Sequence, residues 1–253
     1  MQITVLGSGT GVPLAYRASP ALMIRTGKHC ALFDPGPGTL RQMAKIGLDF
    51  QIVDRIFLTH FHPDHSSDLI HFLFAKKNFS KSQVRPVAIA GPAGLETFLE
   101  RLKQIYGNCL TLPEGIMITE EFRAETRFPL DCGSFTIAVQ TTNHTTESIA
   151  YRIEDCDGKS AVFSGDTGFC REIIDLAKAT DLLVLECSVP EGSRFSEHLT
   201  PSLAGKVAQL AGARRLILTH FYPECLKTDI VFHCRKAFKG ELTLASDLLE
   251  IHI

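Results

Sequence analysis

Two stretches of this chain, residues 55–63 and 215–223, repeat nearly the same sequence. The first reads Arg-Ile-Phe-Leu-Thr-His-Phe-His-Pro and the second Arg-Leu-Ile-Leu-Thr-His-Phe-Tyr-Pro. Chance likeness among residues common in strands is one interpretation. The other is that two similar half-folds face each other, and that each delivers a histidine, His60 or His220, from the end of a buried strand. A strand that stops at a polar loop is a rigid mount, as a metal ligand requires.

Strand-like and helix-like segments follow each other in an irregular order. Apolar runs predict strands at residues 3–6, 21–24, 31–33, 56–58, 87–90, 135–139, 149–153, 161–163, 182–185, 216–218, 242–244 and 249–251. Apolar residues at three- and four-residue spacing predict helices at 40–46, 68–77, 95–106, 171–178, 202–211 and 230–238. Two sheets covered by outer helices would bury all of these segments. We therefore predict an α/β fold, an αββα four-layer sandwich, as a single domain over residues 1–253.

Composition narrows the class of protein. With 45% hydrophobic and 21% charged residues, the chain can bury a sizeable core. Its formal charge of -2 excludes a globally basic nucleic-acid binder, so any nucleic-acid contact must be local. No apolar run approaches the roughly 20 residues that cross a bilayer. The eight cysteines are scattered without a Cys-x-x-Cys pair. We predict reduced thiols, no membrane partner and a cytoplasmic location.

Three imidazoles and one carboxylate lie within a single six-residue stretch, at His60, His62, Asp64 and His65. Neutral imidazole and carboxylate are natural ligands of zinc and similar ions. Four such groups exceed what one tetrahedral structural site takes from one segment, so two metal ions are indicated. The alternative is a solvated, histidine-rich turn.

This stretch resembles the His-x-His-x-Asp-His motif of the metallo-β-lactamase superfamily, and further matches follow in the expected order. Asn-His-Thr around His144 and Ser-Gly-Asp-Thr around Asp166 each follow a predicted strand, and His220 closes the set. The resemblance implies an αββα fold with its active site at one sheet edge. It also implies two ligand groups and one bridging carboxylate: His60, His62 and His144; Asp64, His65 and His220; and Asp166.

The implied chemistry is hydrolysis by two divalent metal ions, zinc by preference, with manganese or iron as alternatives. Metal binding lowers the pKa of bound water to about 7, and two ions that share a carboxylate can share a hydroxide, the predicted nucleophile. The resemblance implies catalytic roles for Asp64, which is also a ligand, and for His198.

Within the superfamily, the chain most resembles ribonuclease Z and related phosphodiesterases. Residues 6–13 resemble that group's glycine loop, residues 32–39 its Asp-x-Gly-x-Gly-Thr segment, and Ser-Glu-His-Leu-Thr around His198 its His-Ser-Thr motif. His198 would then face the scissile phosphate without binding metal. Short ribonuclease Z enzymes insert a long basic arm that grips transfer RNA between the positions of His144 and Asp166. Here that interval holds only two strands and an acidic turn, which puts a transfer-RNA substrate in doubt.

The predicted function is hydrolysis of a small or single-stranded phosphodiester. One alternative keeps both metals but changes the substrate to a thioester, lactone or sulfate ester. Another is a non-catalytic binding module of the same fold, although such proteins usually lack ligands that are all present here. A homodimer is plausible by resemblance.

Other candidate residues have simpler interpretations. His29, His71, His233 and His252 lack paired ligand spacing, which indicates surface or structural roles. Cys225 follows the second Thr-His-Phe segment and could approach the metals, but packing is favoured because the ligand set is complete. Glu186 ends a predicted strand and is either an orienting partner of His198 or another ligand, or an ordinary carboxylate.

Overall fold

The protein is described by a computed structural model over residues 1–79, 84–123 and 128–253. Its strands are β1 (Gln2–Gly7), β2 (Ala21–Thr26), β3 (His29–Phe33), β4 (Arg55–Phe57), β5 (Val87–Pro92), β6 (Met117–Phe122), β7 (Leu130–Asp131), β8 (Phe135–Thr141), β9 (Ile149–Asp155), β10 (Ser160–Phe163), β11 (Leu182–Glu186), β12 (Arg215–Thr219), β13 (Glu241–Leu244) and β14 (Leu249–His252). Its helices are α1 (Thr39–Lys45), α2 (Pro63–Asn78), α3 (Leu95–Tyr106), α4 (Arg171–Leu176), α5 (Pro201–Ala211), α6 (Pro223–Leu226) and α7 (Ile230–Arg235).

The strands form two seven-stranded sheets with the same pattern of pairing. The first has the order β14-β1-β2-β3-β4-β5-β6 and the second the order β7-β8-β9-β10-β11-β12-β13. In each sheet the first three pairings are antiparallel and the last three are parallel. The repeated segments supply β4, the fifth strand of one sheet, and β12, the sixth of the other. The two half-folds correspond as predicted. However, β4 and β12 do not occupy equivalent positions, because their places in the strand order of the two sheets differ by one.

The sheets pack face to face, with helices on their outer faces. The ring of Tyr151 on β9 lies 5.5 Å from Phe33 and 5.4 Å from Phe57 on the facing sheet. Along β3, Ala31 and Phe33 belong to this central core, whereas Cys30 and Leu32 pack in the outer core under α1, α2 and α3. Burial on both faces explains the continuous apolar runs. The predicted αββα sandwich is confirmed.

Helix α2 begins five residues before the predicted start at residue 68, so that prediction was wrong at this end. Pro63 occupies the first helical turn, together with Asp64 and His65. Proline at the first helical position needs no backbone N–H, and a carboxylate there is favoured by the helix dipole. These polar residues lack apolar periodicity, which is why the pattern did not reveal the turn. Strands β6 and β7 and helix α6 were also missed.

Two further features concern segments near the site, and the first of them was predicted. Residues between His144 and Asp166 form only β9, a tight turn and β10, paired from Ser160 with Glu154 onward. Thr200 caps α5 by accepting a hydrogen bond from Leu203 N, and Pro201 begins the helix. Across the described ranges, no helix is long and apolar enough to span a membrane.

Candidate metal centre

The ends of several strands bring the candidate ligands to one edge of the two sheets. His60 follows β4, His220 follows β12, and Asp166 follows β10, while Asp64 and His65 lie on the first turn of α2. His144 reaches the same place from the loop between β8 and β9. The carboxyl ends of parallel strands share one edge of a sheet, so residues far apart in sequence can converge there.

One group combines His60, His62, His144 and Asp166, whose ligand atoms all lie within 4.8 Å of one another. His62 Nδ1 lies 3.2 Å from His144 Nε2. Asp166 Oδ2 lies 3.6 Å from His144 Nε2 and 3.9 Å from His60 Nε2.

The second group combines Asp64, His65 and His220 within the same limit of 4.8 Å. The Nε2 atoms of His65 and His220 lie 3.2 Å apart, and Asp64 Oδ2 is 3.7 Å and 3.5 Å from them. The other oxygen of Asp166, Oδ1, lies 3.3 Å from His65 Nε2 and 3.4 Å from His220 Nε2. One oxygen of Asp166 therefore faces each group, as a bridging carboxylate would.

These distances fit two divalent ions. Two nitrogens bound tetrahedrally to zinc at about 2.0–2.1 Å would lie about 3.3 Å apart, close to the separations within both groups. His60 Nε2 is buried and has no hydrogen-bond partner among the described residues. A buried nitrogen without a partner is costly, and a cation would relieve that cost. The donor set, imidazole nitrogen and carboxylate oxygen, suits zinc and its neighbours.

Asp34, the residue that follows β3, determines which nitrogen carries the proton in two imidazoles. Asp34 accepts hydrogen bonds from Thr59 N at 2.7 Å, Thr59 Oγ1 at 2.7 Å and His65 Nδ1 at 2.8 Å. Because the Thr59 hydroxyl donates to Asp34, it accepts from His60 Nδ1 at 2.9 Å. Both rings therefore carry their proton on Nδ1 and leave Nε2 free to bind a metal.

Glu186 plays the same part in the other sheet. The Ser188 hydroxyl donates to Glu186 Oε2 at 2.5 Å and accepts from His220 Nδ1 at 2.8 Å. Glu186 Oε1 lies 2.8 Å from His198 Nδ1, and the carboxylate is only 1% exposed. The open question about Glu186 is resolved by these contacts, since it holds one imidazole directly and another through a hydroxyl.

Burial and neighbouring charges shift the pKa values in this cluster. Burial alone would raise the pKa of Asp166, but the facing imidazoles of His220, His65 and His60 outweigh it and hold this pKa well below its usual range. Burial is the main cause that lowers the pKa of His60. Burial also opposes the charged form of His198, yet the hydrogen bond and charge of Glu186 raise its pKa to about 9.

The backbone is strained where two of these strands end. Asp34 and His220 have φ values of 49° and 59°, in the left-handed region that non-glycine residues rarely adopt. Gly165 also has a positive φ of 57°, and a Cβ there would lie 2.5 Å from Thr59 Oγ1. Strain of this kind persists only where surrounding contacts hold it, and it is typical of functional sites.

The segment 189–198 supplies one wall of a cavity of about 610 Å³ through residues 189–193, Phe195, Glu197 and His198, and the cavity opens onto the cluster at His144 and His198. A Cβ on Gly168 would lie 1.9 Å from Ser196 O, so glycine permits this segment's close approach. His144 Nδ1 also lies 3.2 Å from Glu197 O. The cavity is thereby fixed against the candidate metal ligands.

The structure also shows where the other candidate residues lie. His29, His71, His233 and His252 belong to no metal-binding group among the described residues, and Cys225 is buried with its thiol donating to Cys187 O at 3.3 Å. His198, expected not to bind metal, nevertheless offers a nitrogen within 4.8 Å of Asp166 and His220.

The sequence interpretation assigned no role to Asp34, Thr59, Ser188 or the wall at 189–198. Asp34 follows an apolar run as His60 does, so the strand-end argument could have found it. The hydroxyl residues carry no such signal.

Comparison with known proteins places the chain in a family. Residues 29–221 match the family described as beta-lactamase superfamily domain. The ribonuclease Z of Mycobacterium bovis is 31% identical over 248 residues, covering 88% of this chain and 86% of the relative. The ribonuclease Z of Streptomyces avermitilis is 28% identical over an alignment of 299 residues, covering 100% of this chain and 97% of the relative.

Comparison with solved structures supports the same family assignment. The metallo-beta-lactamase fold protein YhfI from Bacillus subtilis has a TM-score of 0.85 at 26% identity, covering 99% of this chain and 98% of the other. The short form of human tRNase Z has a TM-score of 0.80 at 26% identity, covering 100% and 99%. The chain therefore belongs to the beta-lactamase superfamily, within its ribonuclease Z-like branch of hydrolases.

Proposed function

We propose that this protein is a metal-dependent phosphodiesterase that binds two divalent ions, preferably zinc. His60, His62 and His144 would hold one ion, Asp64, His65 and His220 the other, and Asp166 would bridge them. The carrying observation is that the two oxygens of Asp166 face the two groups separately, at 3.3 to 3.9 Å. When bound, the two ions would activate water and neutralise charge on the phosphate.

The chain's own residues would orient the metal-binding imidazoles and donate a proton to the substrate. Asp34 and Glu186, through Thr59 and Ser188, would keep the metal-facing nitrogens of His60 and His220 free of protons. Asp64, 3.5 Å from His220 Nε2, would act as both ligand and catalytic carboxylate. His198, held by Glu186 and lining the cavity, would donate a hydrogen bond to the phosphoryl group or a proton to the leaving oxygen.

The proposed substrate is a small or single-stranded phosphodiester rather than transfer RNA. The relatives named ribonuclease Z support phosphodiester chemistry. Between β9 and β10, however, there is only a tight turn, at residues 156–159, where a gripping arm would have to be inserted. A protein without such an arm must rely on local phosphate contacts. A cytoplasmic homodimer remains part of this proposal.

The deciding experiment measures metal content and hydrolysis together. Protein purified from cells grown with zinc should contain about two equivalents of zinc per chain, because the chain has two complete ligand groups. It should hydrolyse bis(p-nitrophenyl) phosphate faster than a matching thioester or sulfate ester. Preference for the thioester or sulfate would overturn the substrate class, whereas less than one metal equivalent would favour a non-catalytic binding module.

A further inference from the structure

We propose that the cavity beside the metal centre binds an organic cation of the ammonium type, carried by the phosphodiester substrate. This inference rests on the proposed phosphodiesterase function and adds the chemistry of the group next to the scissile phosphate. His198 and His144 line the cavity, so a group attached to a phosphate at the metal centre can extend directly into it.

Apart from the two histidines, the charged residues that line the cavity have one sign, because Arg194 of the same segment is exposed and does not line it. The cavity is lined by the carboxylate residues Glu191, Glu197 and Glu224, and the described lining contains no lysine or arginine. The lining imidazole of His198 has the buried carboxylate of Glu186 2.8 Å from its Nδ1 atom, and this carboxylate would balance a positive charge on the ring. Opposite charges attract most strongly at short range, so this wall favours a cation and repels a second phosphate.

The apolar part of the cavity lining suits an organic cation rather than a hydrated metal ion. Phe195 lines the cavity yet is 63% exposed, which leaves its ring face available. Tyr222, Val189 and Pro190 complete the apolar surface. Aromatic faces attract ammonium groups through their quadrupole, and methyl or methylene groups pack on the aliphatic side chains.

Hydrogen bonds within the protein hold the wall in place. Glu191 accepts hydrogen bonds from Ser202 N at 2.7 Å and Ser202 Oγ at 2.8 Å, which tie it to the start of α5. Asn143 Nδ2 donates to Ser196 O at 3.3 Å. Binding sites for small molecules are usually formed in advance in this way, with few polar groups on an apolar surface.

The geometry therefore divides the substrate's charges between two neighbouring regions. The metal centre would take the anionic phosphate, and the cavity carboxylates Glu191, Glu197 and Glu224 would take the cation. A nucleic-acid strand that continued through the cavity would bring its next phosphate against Glu197 and Glu224, and the same carboxylates would repel it.

Calorimetric titration of the zinc-loaded protein with three phosphate monoesters tests this assignment. Phosphocholine, methyl phosphate and phosphoglycolate place a cation, a neutral group and an anion beside the same phosphate. We expect phosphocholine to bind about tenfold or more tighter than methyl phosphate, the equivalent of about 1.4 kcal/mol, and phosphoglycolate to bind most weakly. Equal affinities, or the reverse order, would overturn the inference.

Variants test whether the cavity residues cause the preference for phosphocholine. Glu197→Gln combined with Glu224→Gln should reduce the phosphocholine preference over methyl phosphate about tenfold, and Phe195→Ala should also reduce it. Glu100→Gln, which removes an exposed carboxylate on α3, should leave it unchanged. A preference that survives both cavity variants would contradict the inference. Failure of the wild-type protein to hydrolyse bis(p-nitrophenyl) phosphate would instead refute the proposed phosphodiesterase function.

Discussion

Replacing Asp34 with asparagine should weaken metal binding at both groups, although Asp34 itself is not a proposed ligand. Its carboxylate accepts three hydrogen bonds, from Thr59 N, Thr59 Oγ1 and His65 Nδ1, and it is fully buried. An amide has only one oxygen. If that oxygen accepts from Thr59 N, the amide NH2 faces Thr59 Oγ1 and His65 Nδ1.

The consequence is a change of tautomer. His65 Nδ1 must then accept a hydrogen bond, which moves the ring proton to Nε2, the atom 3.2 Å from His220 Nε2. The Thr59 hydroxyl is freed to donate to His60 Nδ1, which favours the same change in the other group. The opposite amide orientation sets its NH2 against Thr59 N–H, two donors in a buried position. Loss of such orienting partners typically lowers metal affinity 10–100-fold, about 1.4–2.7 kcal/mol.

Zinc affinity measured by competition with a chelator tests this reasoning, with circular dichroism as the check on folding. Asp54→Asn is a matched control, because Asp54 also contacts a histidine Nδ1, that of His29, and also accepts from a backbone N–H, that of Cys30 at 3.0 Å. His29 belongs to no metal-binding group in the described ranges. We expect a loss of affinity in Asp34→Asn alone. Unchanged affinity in a folded Asp34→Asn protein would refute the tautomer argument.

Four further predictions follow from the same structure. His62→Ala should disturb one ion and remove most activity while the fold persists, because His62 is exposed on a loop; wild-type turnover would contradict its assignment as a ligand. His198→Ala should keep both metals and slow an alkyl-leaving substrate about 10²-fold or more, with less effect on a nitrophenyl ester; equal losses would indicate charge stabilisation instead. Transfer RNA should bind weakly and with steep salt dependence, so nanomolar binding at physiological salt would count against the missing-arm argument. Burial and the charge of Arg85 lower the pKa of Lys76 from 10.5 to about 8. The unfolded chain therefore binds more protons between these values, and wild-type stability should rise from pH 8 toward 10.5. Lys76→Met should remove that rise and stabilise the protein at pH 7 by up to about 3 kcal/mol in chemical denaturation.

The sequence by itself determined much of the sandwich and the group of candidate ligands. Strands such as β3 and β12 are buried on both faces, so their apolar runs are continuous and recognisable without a structure. The ligands were recognisable for a related reason. His60, Asp166 and His220 each follow such a run, and His62, Asp64 and His65 lie beside one of them.

Only the tertiary structure decided how these ligands are oriented and what lies next to them. The partnership of Asp34 with His65 joins residues 31 positions apart, and no local pattern encodes it. Glu186 and His198, 12 positions apart, meet because β11 and the segment before α5 end at the same edge. The position of the cavity wall at residues 189–198 likewise depends on a close approach that Gly168 permits. Periodicity records which face of an element is buried, whereas hydrogen bonds and cavities depend on which elements meet, and that is determined by packing across the whole fold.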